Sequence, residues 1–407
     1  MSILTAEQRK QLSEILEELG KTLDITKEQH DAAVRSYEYV AGWLAAEESP
    51  LYAYKPEIIP QGSFMLGTMT KPIHENDELD IDLVCRLEGK RPEWTQFDVK
   101  RIVGERLAGN GILKKLLRIP DGRRCWTLQY ADSAKFHLDV LPSIVSSGYR
   151  TILEKALSAS DMKNINSLAI RITCKEESNY RTSTRPEEWP ISNPFGYGIW
   201  FEQRAVITFQ KSVLMSEAVQ PIPKYSKVKL PLQRVVQILK RHRDLIFNGN
   251  DDKPISIIIT TLAARSYRQE LSISDALMNI IQQMPNEIEE RYSAKHGRMI
   301  KWIANPVNDQ ENFADKWADN PKKQENFYKW LAQVQQDVLT AQDQRGLYAI
   351  QEAMKKPFGE REITKAFTNY GDGLLKLREG GGLKMASVSG ALGMVGSIIK
   401  NHNFHGR

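Results

Sequence analysis

The stretch Leu79-Asp80-Ile81-Asp82-Leu83-Val84 decides how this sequence is interpreted. Apolar and acidic residues alternate in it, and in a β-strand the side chains at positions i and i+2 share one face. The pattern predicts a strand that buries its aliphatic residues and projects Asp80 and Asp82 together. Two adjacent carboxylates repel each other unless a divalent cation neutralises them, and Mg²⁺ prefers carboxylate and phosphate oxygens. A solvent-facing acidic strand without a metal is the alternative.

A third carboxylate follows in the apolar run Phe136-His-Leu-Asp-Val-Leu-Pro142. A charge in such a strand is costly unless it joins a polar site, so Asp139 is the preferred third metal ligand. Asp132 is the competing candidate, although it lies in an Ala-Asp-Ser turn where aspartate is common for backbone reasons. His137 shares a face with Asp139 and is expected to pack beside the site.

The segment Gln61-Gly62-Ser63-Phe64 precedes the acidic strand. Glycine lets the backbone approach a phosphate closely, and a serine hydroxyl and amide can donate hydrogen bonds to its oxygens. Together with the three carboxylates, Gly62 and Ser63 indicate nucleotidyl transfer at a two-metal site.

Composition places the chain among ordinary globular proteins. Its 407 residues are 41% hydrophobic and 26% charged, which excludes collagenous, low-complexity and wholly disordered classes. The net charge of +5 is mild, whereas the basic runs at 224–229 and 240–243 suit a local anionic ligand such as a phosphate. Three cysteines without CxxC spacing predict neither a disulfide framework nor a zinc site.

No stretch of the sequence predicts a membrane span or a secretory signal, because the apolar runs are too short or too polar. We therefore expect a cytoplasmic protein without a membrane partner. We also expect a monomeric catalytic unit that needs no template nucleic acid.

Periodicity divides the chain into four regions. Helices that pack on the core are predicted at 1–50, a mixed α/β lobe at 51–190, a helical lobe at 191–380 and a weakly ordered tail at 381–407. Ligands favour the cleft between two such lobes. Within the lobes the pattern predicts a strand at 112–119, a hairpin from 123–130 and 135–141, helices at 232–247, 255–269, 273–292 and 324–339, and a surface loop at 305–317.

The set QGSF, DELDIDLV and FHLDVLP resembles the nucleotidyltransferase core of the polymerase-beta superfamily. Within that superfamily it is similar to the bacterial cGAS/DncV-like nucleotidyltransferases, which make cyclic oligonucleotide signals. The likeness extends to segments at 189–201, 238–244 and 305–317, and so covers about residues 50–320. It implies an α+β fold, with a polymerase-beta-like lobe of mixed sheet and flanking helices, a helical C-terminal lobe, and the active site between them.

One departure from the superfamily pattern is the sixteen-residue interval from 64 to 79. The extra chain is expected to loop out beside the phosphate site, where Lys71 would touch phosphate or solvent.

The resemblance implies a role for each matching acidic residue. Asp80 and Asp82 would bind both of two Mg²⁺ ions, for which Mn²⁺ is an alternative. Asp139 would bind the ion that activates the attacking hydroxyl, while Gly62 and Ser63 would hold the donor phosphates.

In relatives a lysine of the helical lobe and a downstream serine also contact the triphosphate. The matches here are Lys240, or its neighbour Arg241, and Ser256, whose alternative roles are a solvated helix face and a helix cap. Tyr197 is a candidate for stacking on a base, with a place in the core as the alternative.

The implied function is template-independent synthesis of a cyclic di- or trinucleotide from ATP, alone or with GTP, in bacterial anti-phage defence. Some members of the group have flexible C-termini joined to other proteins, which implies operon-encoded regulatory proteins that act on the tail.

Three rival hypotheses stay open. A linear nucleotidyltransferase would add nucleotides to RNA or a small molecule. A glycosyltransferase would use the D-x-D motif with Mn²⁺, but this leaves Gly62, Ser63 and Asp139 unexplained. A non-enzymatic nucleotide sensor predicts loss of a metal carboxylate, yet all three are present.

Overall fold

A mixed six-stranded sheet lies at the centre of the N-terminal half, in a computed structural model that describes residues 4–74, 77–130, 135–159, 162–207 and 225–399. Its spatial order is β1-β2-β4-β5-β6, with β3 also beside β4. Strands β2 and β4 pair in parallel, and the other neighbours are antiparallel. The strands are β1 (Glu57–Pro60), β2 (Leu79–Glu88), β3 (Trp126–Tyr130), β4 (Phe136–Val145), β5 (Ile170–Ile172) and β6 (Ile191–Ser192).

Helices and short 3₁₀ turns connect these strands. Thr5 and Thr26 each close a capping box at the start of the first two helices, because their side chains satisfy backbone N–H groups that the helix leaves unpaired. The helices are α1 (Ala6–Leu23), α2 (Lys27–Ala45), α3 (Gly62–Met65), α4 (Gln96–Ala108), α5 (Leu113–Leu116) and α6 (Tyr149–Ala159), and the 3₁₀ turns are Tyr52–Tyr54, Met162–Leu168 and Pro186–Glu188.

The strand predicted at 112–119 is wrong, since this segment contains the short helix α5. The side chain of Asn110 accepts hydrogen bonds from the backbone N–H groups of Ile112 and Leu113, which turns the chain into a helical start. The predicted hairpin is confirmed, because β3 and β4 are antiparallel neighbours. Its turn at 131–134, with Asp132, lies outside the described residues.

The second half is mostly helical. Among the described residues, no helix combines the length and apolarity that a bilayer span requires. The helices are α7 (Pro194–Ala205), α8 (Pro231–Phe247), α9 (Ser256–Ser266), α10 (Ile273–Gln283), α11 (Asp315–Asp319), α12 (Pro321–Asp343), α13 (Leu347–Phe358) and α14 (Glu360–Glu379). The predicted helices at 232–247, 255–269 and 324–339 are confirmed, with small shifts at their ends.

Two predictions in this half need correction. The helix predicted at 273–292 ends at Gln283, where a 3₁₀ turn containing Pro285 begins, because proline lacks the N–H that a continuing helix needs. The loop predicted at 305–317 contains paired strands and α11, whose Trp317 is buried against Phe327. The strands are β7 (Glu289–Ser293), β8 (Arg298–Trp302), β9 (Ala304–Asn305) and β10 (Asn308–Asn312).

After α14 the chain forms three short strands, β11 (Lys384–Met385), β12 (Leu392–Gly393) and β13 (Ser397–Ile398). Leu383 and Ala391 are buried there. These strands lie within the region predicted as a weakly ordered tail, and residues 400–407 lie outside the described residues.

The two faces of the sheet belong to different cores. One face, with Ile81, Leu83 and Leu138, packs with α2 and α4. The other face contributes Val84 and Leu141 to the core of the helical half. The sequence analysis left the placement of the N-terminal helices open; α1 packs with α14, α10 and α8, whereas α2 packs with α4 and β1.

A buried ionic cluster lies where α1 passes into α2. The carboxylate of Asp24 accepts hydrogen bonds from Lys229 at 2.6 Å and from Arg234 and Gln237 at 2.9 Å. Arg234 is fully buried and also bonds Glu17 on α1 at 3.0 Å. The cluster ties the start of α8 to the junction between the first two helices.

We predict that Arg234→Ala lowers the free energy of unfolding by about 3–5 kcal/mol, because it leaves buried acidic partners without a counter-charge. Urea unfolding followed by tryptophan fluorescence measures the change. Arg291→Ala is the matched control, since Arg291 pairs with Glu289 and Asp309 at the surface. Equal losses for the two variants would contradict the structural role of the cluster.

Candidate active site

Parallel pairing of β2 and β4 brings the three predicted carboxylates together. Asp82 lies directly opposite Asp139 in the register, and Asp80 lies opposite His137. All four side chains therefore share the sheet face that looks toward the helical half. Asp139 is also opposite Thr127 of β3, whose hydroxyl donates a hydrogen bond to it.

The carboxylates are crowded and short of positive charge. Burial, followed by the charges of Asp80 and Asp139, raises the pKa of Asp82 to about 7. Burial also raises the pKa of Asp139, against the opposing effect of the Thr127 hydroxyl. Such a cluster of partly desolvated oxygens fits a divalent cation, which would remove the repulsion and restore the ionised forms.

A histidine stands at the exposed side of this cluster. One ligand atom each from Asp80, His137 and Asp139 lie within 4.8 Å of one another. The Nε2 atom of His137 is 3.1 Å from Asp80, and its Nδ1 atom is 3.3 Å from Glu78. These neighbours, with the hydrogen bond to Asp80 as the main cause, raise the pKa of His137 to about 9.

The Gly-Ser turn is built onto the same carboxylates. Strand β1 pairs with β2, and the N–H of Gln61 then donates to the carbonyl of Asp82 at 2.9 Å. Gly62 has a φ of +61°, and a Cβ at this position would lie 2.6 Å from Oδ2 of Asp82. Glycine is required here for both reasons. Ser63 follows and lines the cleft beside Asp82.

The cleft between the two halves has a volume of about 840 Å³, within the usual range for a small-molecule site. Two of the predicted phosphate ligands line it from the helical half, Lys240 on α8 and Ser256 on α9. The hydroxyl of Ser256 accepts a hydrogen bond from Arg243 at 2.9 Å. Burial lowers the pKa of Lys240 to about 8.

Two other predicted residues do not line the cleft. Arg241 is buried and donates to the carbonyl of Lys71 at 2.8 Å. Tyr197 is buried in the helical core, where its hydroxyl is 2.9 Å from that of Thr261. Its ring packs against Trp200, so the expectation that Tyr197 stacks on a base is wrong.

Sequence reasoning did not single out two cations of the cleft wall, Lys253 and Arg243, and included Arg243 only as part of the basic run at 240–243. Arg243 could have been predicted, because it follows Lys240 by three residues on one helix and therefore lies on the same face. Lys253 lies between α8 and α9, and no local pattern singles it out.

The long interval between Ser63 and Asp80 forms the floor of the cleft. Four side chains of α8 donate hydrogen bonds to backbone carbonyls of residues 66–71: Gln233 to Leu66, Gln237 to Met69, Lys240 to Thr68 and Arg241 to Lys71. Lys71 lines the cleft, as expected, and burial lowers its pKa. At the mouth, His74 meets Asn248 at 2.8 Å.

Comparison with known proteins finds a family model that matches part of the chain. Residues 56–144 match the family model described as cyclic GMP-AMP synthase DncV-like, nucleotidyltransferase domain. A c-di-GMP synthase of Roseivirga ehrenbergii is 28% identical over 368 residues, which cover 89% of this chain and 88% of that protein. The cyclic dinucleotide synthase CdnG of Bradyrhizobium diazoefficiens is 23% identical over 374 residues, which cover 87% of this chain and 82% of that protein.

The fold is likewise similar to a solved structure. The Bradyrhizobium diazoefficiens CD-NTase CdnG in complex with GTP superposes with a TM-score of 0.63 at 20% identity, covering 88% of this chain and 99% of that one. The overlap therefore includes both the sheet lobe and most of the helical half.

We predict that Gly62→Ala weakens divalent-cation binding about tenfold or more, since the new methyl group and the strained backbone displace Asp82. Mn²⁺ titration followed by electron paramagnetic resonance measures the affinity. Gly89→Ala is the matched control, because Gly89 has a φ of +80° but open space around its Cβ position. A similar loss in both variants would refute the contact with Asp82 as the cause.

Proposed function

We propose, from the match of residues 56–144 to the DncV-like nucleotidyltransferase domain, that the protein is a template-independent nucleotidyltransferase that makes a cyclic dinucleotide signal. The observation that carries the proposal is a cleft lined by Asp80, Asp82, the Gly-Ser turn and the cationic side chains of α8. The third carboxylate, Asp139, lies opposite Asp82 on the neighbouring strand. The two curated relatives are named as synthases of cyclic dinucleotides and are similar over most of this chain.

Asp80, Asp82 and Asp139 would hold two divalent cations, Mg²⁺ or Mn²⁺. When bound, such ions neutralise phosphate charge and lower the pKa of an attacking hydroxyl. The carboxylates position the ribose hydroxyl of one nucleotide against the α-phosphorus of the other. The hydroxyl oxygen then bonds to phosphorus, the bond to pyrophosphate breaks, and the hydroxyl proton passes to a carboxylate or to water.

The opposite wall would hold the triphosphate of the donor. Ser63 and Ser256 offer hydroxyl groups, while Lys240 and Arg243 offer positive charge. Phosphate oxygens are acceptors only, so this mixture of donors suits them. Of Lys240 and Arg241, between which the sequence analysis left the choice open, Lys240 lines the cleft, and Arg243 lines it as well.

The linear product carries both a triphosphate and a free hydroxyl. After turning over in the cleft it presents these groups to the same carboxylates, and a second transfer closes the ring. One site is therefore sufficient for both bonds.

We propose GTP as a substrate because one relative is named a c-di-GMP synthase and the similar CdnG was solved with GTP. ATP, which the sequence analysis predicts as a substrate, is the alternative. A role in bacterial anti-phage signalling, and regulatory proteins that act on the C-terminal tail, belong to the same proposal.

Incubating the purified protein with Mg²⁺ and each nucleoside triphosphate, alone and in pairs, tests the function. We expect pyrophosphate release and, by mass spectrometry, a cyclic dinucleotide that resists alkaline phosphatase. Asp82→Asn should slow turnover about a thousandfold, which corresponds to about 4 kcal/mol of transition-state stabilisation. Asp309→Asn, on an exposed strand, is the control. Products that are all phosphatase-sensitive, or a requirement for an RNA primer, would favour the linear nucleotidyltransferase.

The charge of Lys240 gives a pH prediction. Because its pKa is lowered to about 8, the amine loses its proton as pH rises through this value, and phosphate binding must restore it. The dissociation constant of an α,β-methylene nucleotide should therefore increase from pH 7.5 to 9.5. Lys240→Arg should flatten this dependence, since arginine stays protonated. An unchanged slope in the variant would remove Lys240 from the phosphate site.

A further inference from the structure

The three carboxylates are not held equally. Asp82 and Asp139 are half-buried, and Asp139 accepts a hydrogen bond from Thr127. The side chain of Asp80 is 62% exposed. An exposed carboxylate samples several rotamers in water, and this freedom must be removed before it can contribute to a defined metal site.

His137 is the partner that restricts Asp80. It lies opposite Asp80 across the parallel pair, with its Nε2 atom 3.1 Å from Oδ1 of the carboxylate. Among the described residues, Asp80 makes no other ion pair. The imidazole is on β4, two residues before Asp139, so one strand supplies a carboxylate and restrains a second.

The imidazole of His137 is itself held in orientation by Glu78 and Gln129. Its Nδ1 atom is 3.3 Å from Oε2 of Glu78, and Oε1 of Glu78 accepts a hydrogen bond from Gln129 at 2.7 Å. Gln129 lies opposite His137 in the β3–β4 pair. The chain Gln129–Glu78–His137–Asp80 thus crosses three adjacent strands and ends at a metal-site carboxylate.

We propose that His137 is a positioning residue that fixes the carboxylate of Asp80 for a divalent cation, with Glu78 and Gln129 holding the imidazole. This inference rests on the metal site of the proposed function. Direct ligation is the alternative, but each ring nitrogen faces a carboxylate oxygen, which is an acceptor only, so neither offers a lone pair to a metal. Mg²⁺ also prefers oxygen ligands.

The test is Mn²⁺ affinity by electron paramagnetic resonance, at one pH and with α,β-methylene GTP present. His137→Ala should weaken binding about tenfold, as is typical for residues that orient a ligand. His137→Gln should recover most of the affinity, because its amide can still donate to Asp80. His296→Ala is the matched control, since it removes a histidine–aspartate pair, with Asp319, from the helical half and should change nothing.

Glu78→Gln and Gln129→Leu provide a second route if His137→Ala fails to fold; each should weaken binding less than loss of the imidazole. Unchanged affinity in His137→Ala, or in both of these variants, would overturn the inference. Nitrogen coupling to the bound Mn²⁺ in the wild-type protein would also overturn it, because it would make His137 a ligand.

The two proposals fail separately. If the wild-type protein binds Mn²⁺ but makes no cyclic product, the proposed function is wrong. The Mn²⁺ affinities of the variants then still decide whether His137 positions Asp80. A wild-type protein that binds no Mn²⁺ overturns both.

Discussion

Like charges held side by side on paired strands are the constraint to which the rest of this structure responds. The register of β2 and β4 puts Asp82 against Asp139, so their backbone positions cannot separate without breaking the strand pairing. Charge repulsion of this kind is tolerable only where water, a cation or a donor can approach. This end of the sheet face is accordingly left open as a cleft, while Val84 and Leu141, further along the same face, are covered by the helical core.

The helical half completes this cleft through polar contacts with backbone. Side chains of α8 donate to carbonyls of residues 66–71, and Lys240 and Arg243 of the same helix line the cleft. Backbone carbonyls are strong acceptors that must be satisfied when buried. A single helix therefore both fixes the chain that follows Ser63 and carries the cations that face it, which couples the geometry of the proposed phosphate site to the packing of the two halves.

Much of the site was predictable because it depends on local periodicity. The alternation around Asp80 and Asp82 is confirmed as a strand, and the strand of Asp139 pairs with it. The rest depended on contacts distant in the chain. Tyr197 looks the same in sequence whether it faces a base or Thr261, and only the packing of α7 on α9 decides. By contrast, the helix predicted to reach 292 ends early for a local reason, because Pro285 and the hairpin after it end it.

The division of the first two helices between the cores has a consequence for biosynthesis. Helix α1 emerges from the ribosome first, yet it packs with α14, where Gln11 reaches Tyr370 across 359 residues of sequence. At about 5–20 residues per second, roughly 20–70 s of translation separate the two partners. Helix α2 meets the strands of its own core much sooner. The sheet lobe can therefore fold while the chain is still being made, whereas the part of α1 that packs with α14 stays uncovered until α14 has been synthesised.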